Sequence, residues 1–136
     1  MAICIISAKQ FAKKLKATIQ LTGRLGFTDE TAKTLGFQSG KFARFAQDDE
    51  NGVLYLIINN EASDDAFPLK LSSKYYFIET RQMFDMLGYD YKNQNIMFDL
   101  VRKPSLDDDL QGQVYFMKQR INPRKEKTNE DLISDS

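Results

Sequence analysis

Apolar and polar residues alternate from position 15 to 22, where Leu15, Ala17, Ile19 and Leu21 interleave with Lys16, Thr18, Gln20 and Thr22. A period of two puts successive side chains on opposite faces, which predicts a half-buried strand. Gly23 permits a bend or bulge, after which 25–27 is expected to continue the strand into the first helix. The period then changes. In TDETAKTLGF at 28–37, Thr28 is placed to cap a short helix, Asp29 and Glu30 suit its first turn, Lys33 its last, and Gly36 its end. TRQMFDMLGY at 80–89 repeats the plan: Thr80, Leu87, Gly88 and Tyr89 match Thr28, Leu35, Gly36 and Phe37. Met83, Phe84 and Leu87 share one helical face there, and Arg81 in place of an acidic first turn makes the cap weaker.

Asn51-Gly52 is a strong hairpin signal and joins predicted strands at 42–46 and 53–58. The polar stretch 59–66 reads as a loop, 67–71 as a strand whose Pro68 suits an edge or a strand start, and 75–78 as a strand running into the second helix. A turn at 90–95, a strand at 96–101, a polar loop at 104–112 and a closing strand at 114–117 complete the order. Upstream, Ser7 and Gln10 resemble a capping box, with Ala8, Phe11, Ala12 and Leu15 along one face of a helix. Strands outnumber helices, which predicts an α+β domain: a strand-dominated antiparallel sheet or barrel with two or three short helices, compatible with a tandem β-α-β-β repeat. One globular domain is expected over 1–121, with repeat units at about 17–58 and 67–118, followed by a disordered polar tail at 122–136 that has almost nothing to bury.

The chain of 136 residues carries ten Phe and six Tyr, enough apolar mass for one packed domain. Its net charge is zero, so no global field draws it to nucleic acid or membrane. The apolar run 53–58 is far too short to span a bilayer, and 1–6 lacks the length and charged lead of a signal peptide. The single cysteine, Cys4, excludes an intramolecular disulfide and fits a reducing cytoplasm; its apolar neighbours predict a small buried hydrophobe. There is no histidine, which removes the commonest general base and imidazole ligands, and one cysteine cannot build a thiolate zinc site. No phosphate-cradling GxxxxGK[ST] or GxGxxG occurs. Asp64-Asp65 and the aspartates at 107–109 lack calcium-loop spacing and read as solvated acidic loops. A non-enzymatic protein is expected, with no catalytic residue, cofactor or metal assigned.

Local charge changes this picture at the start of the chain. Residues 1–26 hold Lys9, Lys13, Lys14, Lys16 and Arg24 and not one acid. Cations without carboxylates among them suit phosphates, whose neutralisation releases counterions, so these five are the candidate nucleic-acid-binding residues. In a helix over 8–16, Lys9, Lys13 and Lys16 share a face. The plainer alternative is a solvated face complemented by acidic loops elsewhere. Arg120, Arg124, Lys125 and Lys127 form a second basic run, diluted by Glu126, Glu130 and Asp131. Aromatics are not interleaved with these cations, which disfavours base stacking. Tyr75, Tyr76 and Tyr91 are candidates for partial exposure and for a protein interface.

The order Gly23-Arg24-Leu25-Gly26-Phe27, short helix, Leu35-Gly36-Phe37, Gly40-Lys41, strand, acidic turn, strand resembles the AbrB/MazE-type swapped-hairpin family. Its members carry a "GR" strand, a short helix ending "LGL", a glycine turn and a final hairpin. The stretch 75–117 fits the same outline more loosely, and two units in one chain are similar to the MraZ branch. Phe27-Thr28 and Glu79-Thr80 stand where the family has a proline at the strand-to-helix junction, and Ser73-Lys74 replaces the second "GR". The resemblance implies a swapped-hairpin barrel, oligomerisation, and DNA binding through basic residues of the first hairpin or its neighbours. Together these observations lead to the expectation of a small cytoplasmic DNA-binding or regulatory protein, forming a homo-oligomer, with no membrane partner. The alternative is a protein–protein interaction or assembly module that binds no nucleic acid.

Overall fold

Alternation at positions 15–19 does form a strand, β1 (Leu15–Ile19), with Ala17 and Ile19 buried. The strand stops earlier than the pattern suggests. Gln20 and Gly23 close a turn, with the Gln20 amide donating to the Arg24 carbonyl and the Gly23 amide to the Gln20 carbonyl, both at 2.8 Å. Leu21 is therefore 59% exposed instead of extending the buried face. The chain continues through β2 (Leu25–Phe27), α1 (Asp29–Thr34), β3 (Phe42–Gln47), β4 (Leu54–Asn59), β5 (Phe67–Leu71), β6 (Tyr76–Ile78), α2 (Arg81–Leu87), β7 (Gln94–Arg102), α3 (Asp107–Leu110) and β8 (Gln113–Pro123). The structure is a computed structural model that describes residues 2–5, 15–72 and 75–123. Lys9, Lys13, Lys14, Ser73-Lys74, most of the helix expected over 8–16 and the tail beyond Pro123 lie outside these residues.

The eight strands close into one antiparallel barrel in the order β1-β2-β6-β5-β3-β4-β8-β7, with β7 returning to β1. This overturns the expected α+β class. The fold is mostly β, because among the described residues the longest helix has seven residues and none forms a layer of its own. Instead the helices contribute single side chains to the barrel core, Ala32 from α1 and Phe84 from α2. Exchanging β1 with β5, β2 with β6, β3 with β7 and β4 with β8 leaves every pairing in place. Four seams join the halves, β2–β6, β4–β8, β1–β7 and β3–β5; the exchange maps each of the first two onto itself and swaps the other two.

Several local expectations need correction. The stretch 104–112, expected as a polar loop, winds into a 3-10 turn and α3. β8 is eleven residues long, far beyond the expected 114–117, and reaches Pro123. Tyr91 is buried, its hydroxyl donating to Asp85. Cys4 is exposed and does not act as a core hydrophobe.

The two helix starts also diverge in chemistry. Thr28 caps α1 by accepting from the Thr31 amide, while its hydroxyl donates to the buried Thr31 hydroxyl at 2.8 Å. Thr80 makes no cap. Its buried hydroxyl donates to the Gly23 carbonyl at 2.8 Å, tying the β1–β2 turn to the start of α2. Gly23 must be glycine for two reasons: its φ is +85°, and a Cβ would lie 2.7 Å from Arg81 Cβ and 2.9 Å from Arg81 Cα.

At the barrel centre Phe98 stacks on Phe84 with centroids 6.3 Å apart and meets Tyr89 at 6.2 Å. Truncating Phe98→Ala should lower unfolding free energy by about 3–5 kcal/mol in urea denaturation, because the ring's neighbours cannot collapse into the void. Thr80→Val should cost about 1–3 kcal/mol in the same measurement by leaving the Gly23 carbonyl without its buried donor.

Candidate nucleic-acid interface

Of the five candidate cations, the structure describes Lys16 and Arg24. Lys16 lies on β1, not on a helix. Its backbone amide donates to Thr31 Oγ1 at 2.8 Å, which holds this strand position against α1. Across the sheet Lys16 stands opposite Asp99 of β7, and Asp99 in turn stands opposite Lys118 of β8. Arg120, two residues further along β8, donates to Asp99 at 3.1 Å. Period-two geometry thus places Lys16, Lys118 and Arg120 on one outer face around a single carboxylate. A cleft of about 440 Å³ opens there, lined in part by Lys16, Asp99, Val101, Arg102 and Arg120.

Arg24 is elsewhere. It precedes β2, past the far end of β1 and roughly 13 Å from Lys16 by strand rise. Its guanidinium lies 4.3 Å from the Phe77 ring centroid and 3.5 Å from Glu79, two partners that occupy it within the barrel wall. The segment bearing Lys9, Lys13 and Lys14 joins β1 at Leu15, beside Lys16 in the chain. Neither Lys118 nor Arg120 is among the five candidates; in the sequence Arg120 figures only as the start of the second basic run. The only signal for Lys118 was its two-residue spacing from Arg120, and that spacing carries meaning only once 113–123 is known to be a strand.

Arg102 has a different task. It grips Asp107 with both terminal nitrogens at 2.6 Å, and the Asp107 carboxylate also accepts from the Val114 amide at 3.0 Å. Asp107 is therefore a structural clamp on the β7–β8 crossover and not a freely solvated acid. The Arg102 guanidinium, followed by the Val114 amide, holds the Asp107 carboxyl below its ordinary range. A comparable polar lock ties β3 and β4 to the same crossover. Arg44 donates to Asn59 Oδ1 at 2.8 Å and to the carbonyls of Leu110 and Gln111 at the end of α3. A polar cleft of about 480 Å³ adjoins it.

Among the described residues, no group of three or more His, Cys, Asp or Glu side chains could hold a metal ion. No described helix is long and apolar enough to cross a membrane. In comparisons with known proteins the chain matches no family model, no curated protein and no solved structure.

Asp107 sets a pH dependence whose sign follows from its lowered folded value. The clamp contributes stability above the ordinary carboxyl range and loses it as pH falls through the lower folded value. Asp107→Asn should therefore lower Tm at about pH 7 and narrow the gap between Tm at about pH 7 and at about pH 3, both read by thermal melts. An unchanged gap would show that the clamp does not titrate with folding.

Proposed function

We propose that this is a small, non-enzymatic, cytoplasmic regulatory protein that binds duplex DNA by contacting phosphates through the outer face of β1, β7 and β8. The observation that carries this is the convergence of Lys16, Lys118 and Arg120, from opposite ends of the chain, around Asp99. Three cations against one carboxylate leave the face positive on a protein of zero net charge. In the chain, Lys9, Lys13 and Lys14 precede Lys16 with no acid among them. Such a surface reads charge, not base sequence, because phosphates carry no sequence information. The resemblance of the 23–41 stretch to swapped-hairpin DNA-binding proteins favours DNA among polyanions.

Fluorescence anisotropy with random duplex DNA at two salt concentrations tests this. Binding should weaken steeply with salt, and a Lys16→Glu, Lys118→Glu, Arg120→Glu variant should lose it, the log–log salt slope falling by roughly 0.9 for each phosphate contact removed. Lys13→Glu, Lys14→Glu with Lys16→Glu should act the same way. Equal affinity in wild type and both variants, or no binding at low salt, would refute the assignment.

A further inference from the structure

Closing the barrel leaves one strand longer than its neighbour. The Lys103 amide donates to the Val114 carbonyl at 2.8 Å, so Val114 directs its backbone groups toward β7. In an antiparallel sheet the direction alternates residue by residue, so Tyr115, Met117, Gln119 and Ile121 face the other way, toward β4. Tyr115 and Met117 find Leu56 and Leu54 of β4. There β4 ends, and the chain has come from the turn at Asn51-Gly52. The amides and carbonyls of Gln119 and Ile121 therefore point past the end of β4, where no described strand pairs with them. Residues 118–122 are all exposed, as an open edge requires.

We propose that this edge of β8 accepts an extended segment of another protein as an added strand, one in which acidic and apolar residues alternate. An added strand completes the hydrogen bonds of Gln119 and Ile121, and the side chains on each face select its sequence. On the outer face it meets Lys118 and Arg120, where cross-strand carboxylates are favoured. On the other face it meets Ile121, 43% exposed, which borders a cleft of about 200 Å³ where Leu87, Tyr89 and Ile96 mix with Asp90, Gln94 and Gln119. Next to Ile121 an apolar side chain is favoured, because it covers exposed apolar surface. A second copy paired through the same edge would bring two sets of Lys118 and Arg120 together, a repulsive arrangement. Pro123 at the end of the strand has no amide and limits the added strand to this stretch. The edge is open whether or not the protein binds DNA, so the two proposals stand or fall separately.

The probe is a labelled synthetic peptide of alternating Glu and Val, titrated into the full chain without nucleic acid. It should bind, and hydrogen exchange at the Gln119 and Ile121 amides should slow on binding. Ile121→Pro removes one donor on the open side without touching the bonds to β7, and should weaken binding about tenfold or more. Lys118→Glu with Arg120→Glu should reject this peptide and accept one of alternating Lys and Val. No binding, equal binding of the Lys-Val peptide to wild type, or full affinity in Ile121→Pro would each overturn the proposal. Slow exchange of both amides in the free protein would also overturn it, with light scattering telling a second copy from the chain's own residues as the occupant.

Discussion

Backbone amides buried against an apolar core need partners, and strands as short as the three residues of β2 and β6 cannot supply their own. Ring closure answers that constraint. With β7 paired back to β1, each strand has a neighbour on either side over at least part of its length, and the inward residues enclose a core of aromatic and branched side chains. The helices survive at six and seven residues because each buries part of itself in that core, not because such lengths are stable alone. The Thr80 hydroxyl on the Gly23 carbonyl has the same logic: a buried acceptor in a tight turn is given a donor from the next half of the chain.

The exchange symmetry of the pairing divides the molecule into two β-β-α-β-β halves, neither of which closes a barrel by itself. Where the halves differ, the barrel gains features that symmetry would not provide. The crossover between β7 and β8 carries α3, clamped by Arg102 and Asp107 and held to β3 and β4 through Arg44, whereas β3 and β4 are joined by a tight turn. β8 outlasts β4, and that inequality in length, not a loop or a pocket, leaves backbone groups open.

Charge on the outer face follows from register. Asp99 sits between Lys16 and Lys118 because β7 runs between β1 and β8, and a one-residue slip would turn these side chains inward. The ion pair between Arg120 and Asp99 is substantially exposed and adds at most about 1 kcal/mol of stability. Its larger consequence is arrangement: one carboxylate orders cations that would otherwise repel, on a face that keeps a positive excess.

Much of the secondary structure was legible in the chain, because strand alternation, Thr28 with its acidic first turn, and Asn51-Gly52 are local signals that need no tertiary partner. The α+β class was not a sound inference from them, since element counts do not say whether helices form a layer or plug a barrel. The run at 104–112 looked like a solvated loop because the pairing of Asp107 with Arg102 depends on β7 and β8 lying side by side. Lys16 and Arg24 belong to one basic segment in sequence, yet the structure separates them and gives Lys16 new neighbours in Lys118 and Arg120. The sequence alone determined the start of β1, the capped start of α1 and the turn between β3 and β4, through periodicity, capping and turn chemistry. Only tertiary structure decided which strands meet, which cations share a face and which edge stays open, because those depend on register and strand length across residues far apart in the chain.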